Sequence, residues 1–255
     1  TACFGTGLQT QPIEGQERLS PILANEFEIN CDSGGPGKFR GGAGVVKTST
    51  LREAENTVLS YICDRERAIV WGIKGGLPSI PHGLWIKRAG TEEKEWLGTI
   101  FSDVDIEPGD MFSRPTAGGG GLGDPLERDP AAVMHDVEDD YVSLERAELD
   151  YGVVLKVIDI DLAHYEVDDG ATKAARREIA KARRSWLAED PEAVAERYRK
   201  GEINSMDMVR RYAVIVDWGS GELMPKSTKQ FRESTRMRTA DHWNDNIAEL
   251  GEAAE

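Results

Sequence analysis

Glycine is distributed very unevenly along this 255-residue chain, and that distribution constrains the fold more than any other feature. Of the 27 glycines, 21 lie at or before Gly123 and 6 follow it. Glycine loses more backbone entropy on folding than any other residue, so it is retained where unusual dihedral angles or close backbone contacts require it. We therefore expect the first half of the chain to contain many turns and closely packed backbone segments.

Short runs of β-forming residues alternate with these glycines and with prolines. The clearest run, residues 57–63, is rich in β-branched and aromatic side chains. Many short strands separated by turns are typical of an antiparallel barrel or sandwich rather than of parallel βαβ units. The sequence predicts strands at residues 26–31, 44–51, 57–63, 68–73, 84–87 and 98–106.

Helical signals dominate after residue 125. Asp129 and Asp190 each precede a proline, which places a capping side chain before a residue suited to the first helical position. Residues 171–186 carry apolar side chains at steps of three and four, which predicts an amphipathic helix. A further short helix is predicted from Ser143 to Gly152, extended segments at 153–160 and 212–218, and a polar tail at the C-terminus.

These patterns predict an α+β chain in two parts. The first, residues 1–125, is a glycine-rich β domain resembling a barrel or a sandwich. The second, residues 126–255, is a helical region with an extended C-terminal tail.

The charge balance argues against polyanionic partners. The chain has 31 Lys and Arg against 46 Asp and Glu, a net charge of −15. Nucleic acids and anionic membranes would repel the mean surface of such a protein. No apolar run approaches the roughly 20 residues of a membrane helix, and no basic segment precedes an apolar stretch near the N-terminus. We expect a cytoplasmic protein that binds neither nucleic acid nor membrane.

Cysteine and histidine give no local metal or disulfide signal. Cys3, Cys31 and Cys63 are odd in number and lack CxxC spacing. The four histidines are scattered and form no HExxH motif or i,i+4 pair. His135, on the helix that follows Asp129, is expected to be a solvated surface residue.

The first candidate site is the glycine-rich segment at residues 32–42. Its candidate residues are Ser33, Gly34, Gly35, Lys38 and Arg40. Successive glycines can direct backbone N–H groups at an anion, and two cations would add charge. The spacing is not that of a P-loop, because a strand rather than a helix follows. The alternative is a wide turn whose cations pair with local carboxylates.

The second candidate site is the glycine run that precedes the helical half. Four consecutive glycines, Gly118, Gly119, Gly120 and Gly121, are followed by Asp124. Such a run is costly unless unusual dihedral angles or close contacts require it. The strand, helix and acidic residue of a dinucleotide-binding motif are not convincingly present. We therefore predict a tight crossing where another segment or subunit contacts the backbone.

Three ordered phrases resemble the C-terminal portion of the hydantoinase B/oxoprolinase family. They are SGGPGKFRGGAGVV at 33–46, AGGGGLGDPLERDPAAVMHDVEDDYVS at 117–143 and LDYGVVL at 149–155. Several phrases in a fixed order are more specific than either glycine segment alone. The resemblance covers about residues 12–160, and the glycines and prolines at 72–78 fit it.

The resemblance implies a large subunit that works beside a hydantoinase-A-type partner with an actin-like ATP-binding fold. Family members include 5-oxoprolinases, ATP-dependent hydantoinases and subunits of acetone and acetophenone carboxylases. Their shared chemistry is activation of a carbonyl oxygen by phosphorylation. ATP and magnesium would be bound by the partner, and a divalent metal by an N-terminal part of the subunit that typically precedes the matching portion. No metal ligand is assigned to this chain, and its catalytic residues are unknown.

The segment beyond residue 160 resembles the carboxylase branch of the family more than the compact oxoprolinases. We therefore expect a ligase that carboxylates a ketone through a phosphorylated enol, with a possible small third subunit. The alternatives are a cyclic-amide hydrolase and a non-catalytic assembly scaffold of such a complex. Because the sequence opens on Thr1 and the family is about twice as long, the chain is expected to be a C-terminal fragment.

Overall fold

The structure is a computed structural model, and it describes residues 12–243. The helices are α1 Ile13–Leu19, α2 Pro130–Glu138, α3 Leu144–Tyr151, α4 Asp169–Trp186, α5 Pro191–Arg199, α6 Ser205–Arg210 and α7 Pro225–Arg238. The strands are β1 Ile22–Asn30, β2 Gly44–Leu51, β3 Thr57–Ile62, β4 Leu84–Lys87, β5 Lys94–Gly98, β6 Ile100–Ile106, β7 Met111–Pro115, β8 Leu155–Asp159 and β9 His164–Val167. Two short 3-10 turns are Pro125–Glu127 and Ala240–His242.

The strands form open antiparallel sheets. The largest has five strands in the order β1-β2-β7-β4-β5, while β3 pairs with β6 and β8 pairs with β9 in separate ribbons. Leu51, Ile86 and Ile106 form one buried cluster that joins the β3–β6 ribbon to the large sheet. The α+β class is confirmed, but the barrel is wrong because no sheet closes on itself among the described residues.

Two predicted strands are not strands. Residues 68–73 form no strand: Ile73 bonds to the glycine run, with its N–H donating to the Gly121 carbonyl, instead of joining a sheet. Residues 212–218 form a buried chain segment with one isolated bridge, between Val216 and Leu223. The sequence also missed β5 and β7, and its strand at 98–106 corresponds to β6, which begins after the left-handed Gly98 (φ +81°).

The helix boundaries follow the capping chemistry. The Asp129 and Asp190 carboxylates accept hydrogen bonds from the backbone N–H groups of Ala131 and Ala193, at the starts of α2 and α5. Helix α3 begins after the Ser143 cap and ends at Gly152, which has the left-handed φ of +63°. These predicted boundaries are confirmed.

The helical half packs around an apolar core to which Ile69 of the first half also belongs. One cluster lies around the buried 212–216 segment and includes Val194, Met208, Ile215 and Phe231. A second cluster, around Val133 and Tyr151, joins α2, α3 and β9. None of the helices in residues 12–243 combines the length and apolar character that a bilayer crossing requires.

The predicted extended tail is wrong over the described residues. Pro225–Arg238 is a helix, and the chain after it returns to the first half of the molecule. The Thr239 hydroxyl donates to the Gly76 carbonyl at 2.8 Å, and the Trp243 indole donates to the Gly75 carbonyl at 2.9 Å. The proposed domain boundary at residue 125 falls in a 3-10 turn and stays a prediction.

Candidate functional site

Both glycine segments predicted as sites meet in one place, together with a third. We use the name glycine layer for residues 33–42, 72–77 and 118–124. The Gly35 N–H donates to the Gly119 carbonyl at 2.8 Å, which joins the first segment to the third. The Leu77 N–H donates to the Pro36 carbonyl at 2.7 Å, and the Gly121 N–H donates to the Leu77 carbonyl at 3.0 Å. The three segments are thus bound through their backbones.

The glycines of this layer leave no room for side chains. A β-carbon on Gly41 would lie less than 3.0 Å from the Gly119 carbonyl. A β-carbon on Gly120 would lie equally close to the Trp71 carbonyl, and a β-carbon on Gly121 would lie equally close to the Pro36 carbonyl. Real β-carbons essentially never approach backbone atoms so closely. Glycine is therefore required at these positions by backbone contact rather than by chain flexibility.

The polar candidates of the first segment have partners inside the protein. Ser33 is buried, and its hydroxyl accepts from the Gly44 N–H at 2.7 Å. Lys38 lies 3.3 Å from the Glu127 carboxylate, and Arg40 lies 3.2 Å from that of Asp136. This geometry supports the turn in which the cations pair with local carboxylates. The anion-binding role of the segment stays a prediction.

Asp124 anchors the glycine run to the helical half. Its two carboxylate oxygens accept hydrogen bonds from Arg183 at 2.9 and 2.8 Å. Both side chains are 2% exposed, so the pair is strengthened by the low local dielectric. Asp124 also caps the following turn by accepting from the Leu126 N–H. The carboxylate is held in place by the protein itself.

Arg210 makes the corresponding connection to the first glycine segment. Its guanidinium donates to the carbonyls of Asp32 at 2.6 Å and Gly34 at 3.1 Å. It also lies 2.7 Å from the Asp150 carboxylate and contacts the Pro78 carbonyl. Because Arg210 is only 2% exposed, these bonds form in a dry interior. One α6 side chain thus fixes two segments of the β half.

One face of the glycine layer is exposed and apolar. Phe39 and Leu122 pair in an antiparallel bridge, and Ile73 pairs with Leu122 in a parallel one. Paired residues place their side chains on the same side of the layer. Phe39 is 62% exposed, Ile73 is 43% exposed and Leu122 is 38% exposed. We name Phe39, Ile73 and Leu122 the apolar face.

Metal ligands do not gather in the described part of the chain. Within residues 12–243, no group of three or more His, Cys, Asp or Glu side chains is arranged to hold a metal ion. His135 is on the surface and contacts Glu138 at 2.7 Å, as expected. His82 is buried: its Nδ1 lies 3.1 Å from the Pro115 carbonyl and its Nε2 lies 2.7 Å from the Tyr61 hydroxyl. Burial lowers the pKa of His82, so its neutral form is favoured.

Several residues of the site were missed by sequence reasoning. Gly72 and Gly76 were not among the candidate site residues, although the glycines at 72–76 could have indicated a third segment. Nothing local identified Arg183 or Arg210, because each reaches its partner across 59 to 178 residues of sequence.

Known proteins share this sequence and fold. Residues 1–125 match the family described as hydantoinase B/oxoprolinase. The caprolactamase subunit beta of Pseudomonas jessenii is 35% identical over 179 residues, which covers 68% of this chain and 29% of that protein. The acetone carboxylase alpha subunit of Xanthobacter autotrophicus is 26% identical over 275 residues, which covers 92% of this chain and 33% of that protein.

A solved structure extends the likeness to the fold. The nucleotide-free structure of acetone carboxylase matches 90% of this chain and 33% of that chain, with a TM-score of 0.59 and 23% identity. The fold is therefore shared across both halves. This chain spans between 29% and 33% of the length of these relatives.

Proposed function

The chain belongs to the hydantoinase B/oxoprolinase family, and from this premise we propose that it is part of a subunit of an ATP-dependent carboxylase that acts on a ketone. The supporting observation is the extent of the likeness to the acetone carboxylase alpha subunit. Because this match covers 92% of the chain, it leaves out too few residues to exclude α4, α5 or α6. The match to the caprolactamase subunit covers 68%. The more extensive match therefore favours the carboxylase branch.

A second candidate is an ATP-dependent cyclic-amide hydrolase. The caprolactamase subunit is the more identical of the two relatives, at 35% against 26%. Both reactions begin when phosphorylation by ATP activates a carbonyl oxygen, and both later release that phosphoryl group as phosphate. In the ketone reaction a phosphorylated enol is then carboxylated, whereas in the amide reaction water opens the ring. The two candidates therefore share their first step and differ in the second reactant.

The catalytic machinery of either reaction extends beyond this chain. We assign ATP and magnesium to a hydantoinase-A-type partner subunit, and a divalent metal to the N-terminal part of the subunit in which this segment occurs. A small third subunit is part of the carboxylase proposal. The described residues would supply a rigid frame, because the glycine layer is fixed by backbone hydrogen bonds and by Arg183 and Arg210.

The apolar face is the proposed contact of this frame with a partner subunit. Contiguous exposed apolar side chains on a soluble domain mark interaction sites more often than isolated ones do. If the contact only holds the assembly together, the chain is a scaffold. If it also shields intermediates from water, the chain contributes to turnover.

The reaction is tested by reconstituting the full complex from the adjacent coding sequences. We expect ATP-dependent incorporation of labelled bicarbonate into a 3-oxo acid when acetone or acetophenone is supplied. Ring opening of caprolactam without bicarbonate incorporation would replace the carboxylase proposal with the hydrolase. Neither activity in an assembled, ATP-hydrolysing complex would contradict both.

The scaffold alternative is tested by Phe39→Ser in the same complex. Because this side chain is 62% exposed, its removal should leave the subunit folded. Loss of assembly supports a structural contact, whereas intact assembly with reduced turnover supports a direct contribution. Leu162→Ser, which removes a 76% exposed side chain outside the glycine layer, is the matched control and should change neither.

A further inference from the structure

A cavity lies where the end of β1 meets α5, α6 and the 212–218 segment. Its volume is about 240 Å³. Its walls are formed largely by the aromatic rings of Trp96, Tyr198 and Trp218, with prolines and aliphatic side chains completing them. The polar members of the lining are Asn30, Cys31 and Ser205, and none of the lining side chains is charged. The cavity thus joins both halves of the molecule and favours a neutral occupant.

The aromatic walls are fixed in orientation. The Trp218 indole donates to the Glu66 carbonyl at 2.8 Å, and the Trp96 indole donates to the Glu66 carboxylate at 3.3 Å. The rings of Tyr198 and Trp218 meet edge to face, with centroids 6.1 Å apart. Because both indole N–H groups are already bonded, the tryptophans offer a ligand only apolar surface. Preformed walls of this kind bind rings without a cost of rearrangement.

Two hydroxyl groups in the lining remain available to a ligand. The Asn30 amide donates to the Thr116 carbonyl at 2.9 Å, which fixes its orientation. The hydroxyls of Tyr198 and Ser205 have no hydrogen-bond partner among residues 12–243. Each can donate to an acceptor inside the cavity. Burial raises the pKa of Tyr198, which keeps its proton in place.

We propose that this cavity binds a neutral, single-ring compound that carries a carbonyl group. An apolar cavity of about 150 Å³ holds benzene, so 240 Å³ admits one ring with a small substituent. The rings of Trp96, Tyr198 and Trp218 contact the ligand ring, while the Tyr198 and Ser205 hydroxyls donate to its carbonyl oxygen. An aryl ketone and a cyclic amide share this chemistry. Acetone is too small to fill the space.

The preference for a neutral ring follows from the lining, and the choice of a carbonyl as its polar group rests on the proposed function. The identification of the ligand as the substrate of the complex also rests on the proposed function. Binding to the 255-residue chain requires neither ATP nor a partner, so the two proposals can fail separately. Loss of turnover in the complex would leave this site standing, and absence of binding here would leave the proposed reaction standing.

The test compares acetophenone, caprolactam, ethylbenzene and benzoate by calorimetry and by ligand-observed NMR. Acetophenone and caprolactam report on the two carbonyl classes, and whichever binds more tightly selects between them. We expect ethylbenzene, which has the same shape without the oxygen, to bind about fivefold or more weakly than acetophenone, since one net hydrogen bond contributes about 1 kcal/mol. Benzoate should not bind. Equal affinity for ethylbenzene and acetophenone, or no binding of any ring compound, would overturn the proposal.

Variants locate the site. Tyr198→Phe and Ser205→Ala should each weaken binding of the carbonyl compound about fivefold and leave ethylbenzene unaffected. Tyr165→Phe and Ser185→Ala, outside the cavity lining, are matched controls that should leave both affinities unchanged. An equal loss in variants and controls would place the ligand elsewhere. The comparison of ethylbenzene with acetophenone on the unaltered chain stands even if a variant does not fold.

Discussion

The glycine layer and the helical half are stabilised in opposite ways. In the helical half, buried side chains such as Val194, Met208 and Ile215 fill a continuous apolar core. In the glycine layer, carbonyls and amides of three chain segments contact each other directly, with no side chain between them. The first arrangement depends on the volume of methyl and methylene groups, and the second depends on their absence. Substitutions should therefore be tolerated in different patterns in the two regions.

The largest effect is expected from adding one methyl group to the glycine layer. In Gly120→Ala the new β-carbon would meet the Trp71 carbonyl at less than 3.0 Å, so the third segment cannot keep its place. We expect a loss of about 4 kcal/mol or more in the free energy of unfolding, enough to abolish the fold of a marginally stable domain. Urea denaturation followed by far-UV circular dichroism measures it.

Gly42→Ala is the matched control for this substitution. It lies in the same layer, but a β-carbon there would meet nothing within 4 Å. Its unfolding free energy should stay within about 0.5 kcal/mol of the original or rise slightly, because alanine reduces the entropy of the unfolded chain. Equal losses at both positions would mean that conformational freedom, rather than backbone contact, is what glycine provides.

The two regions also differ in how much of them the sequence predicted. Helix starts at Asp129 and Asp190 and the helix end at Gly152 depend on residues next to them in sequence, and these predictions are confirmed. The 68–73 strand was wrong because its β-forming residues bond to glycine backbone carried by a segment about fifty residues away. Local β-propensity does not show which segment a buried strand-like segment will bond to through its backbone N–H and C=O groups.

The same distinction holds for the candidate site. Glycine density identified residues 32–42 as a candidate anion site or wide turn and residues 118–121 as a tight crossing, since the entropic cost of glycine is visible in composition. It did not show that the two segments contact each other, nor that Arg210 holds the first of them. Such contacts join residues far apart in sequence, and a single sequence contains no local pattern for them. The roles of Ser33, Lys38 and Asp124 toward an anion or a partner stay predictions.

An intermediate effect is expected at the connection between the two regions. Arg210→Met keeps much of the side-chain volume but removes the donors to the Asp32 and Gly34 carbonyls and the cation beside Asp150. Breaking a buried pair by removing one partner costs about 3–5 kcal/mol. Since Asp150 retains Arg146 at 3.5 Å, we expect a loss of about 3 kcal/mol, measured by urea denaturation.

The control for this substitution is an ion pair on the surface. Arg67 and Asp217 lie 3.4 Å apart with side chains 52% and 43% exposed. Exposed pairs contribute at most about 1 kcal/mol, so Arg67→Met should have little effect. If both substitutions lower the free energy of unfolding by the same small amount, Arg210 does not hold the two halves together.

The smallest effect on the free energy of unfolding is expected at His82, a buried polar side chain in the β half. That half is stabilised mainly by backbone and apolar contacts. The pKa of His82 is lowered from its ordinary value of 6.5, first by burial and also by the charge of Arg114, while the Pro115 carbonyl and Glu66 oppose this. A neutral His82 donates from Nδ1 to the Pro115 carbonyl and accepts the Tyr61 hydroxyl at Nε2. Protonation would remove that acceptor.

His82 should therefore contribute to the pH dependence of stability. Because the folded protein binds the His82 proton more weakly than the unfolded chain does, the stabilisation is present above pH 6.5 and is lost as the pH falls below it. His82→Asn keeps a donor for the Pro115 carbonyl but does not titrate. From pH 7 to pH 5 the original chain should lose more unfolding free energy than the variant, since all other titrating groups are common to both. Parallel pH profiles would contradict this prediction, because they would show that folding does not change the proton affinity of His82.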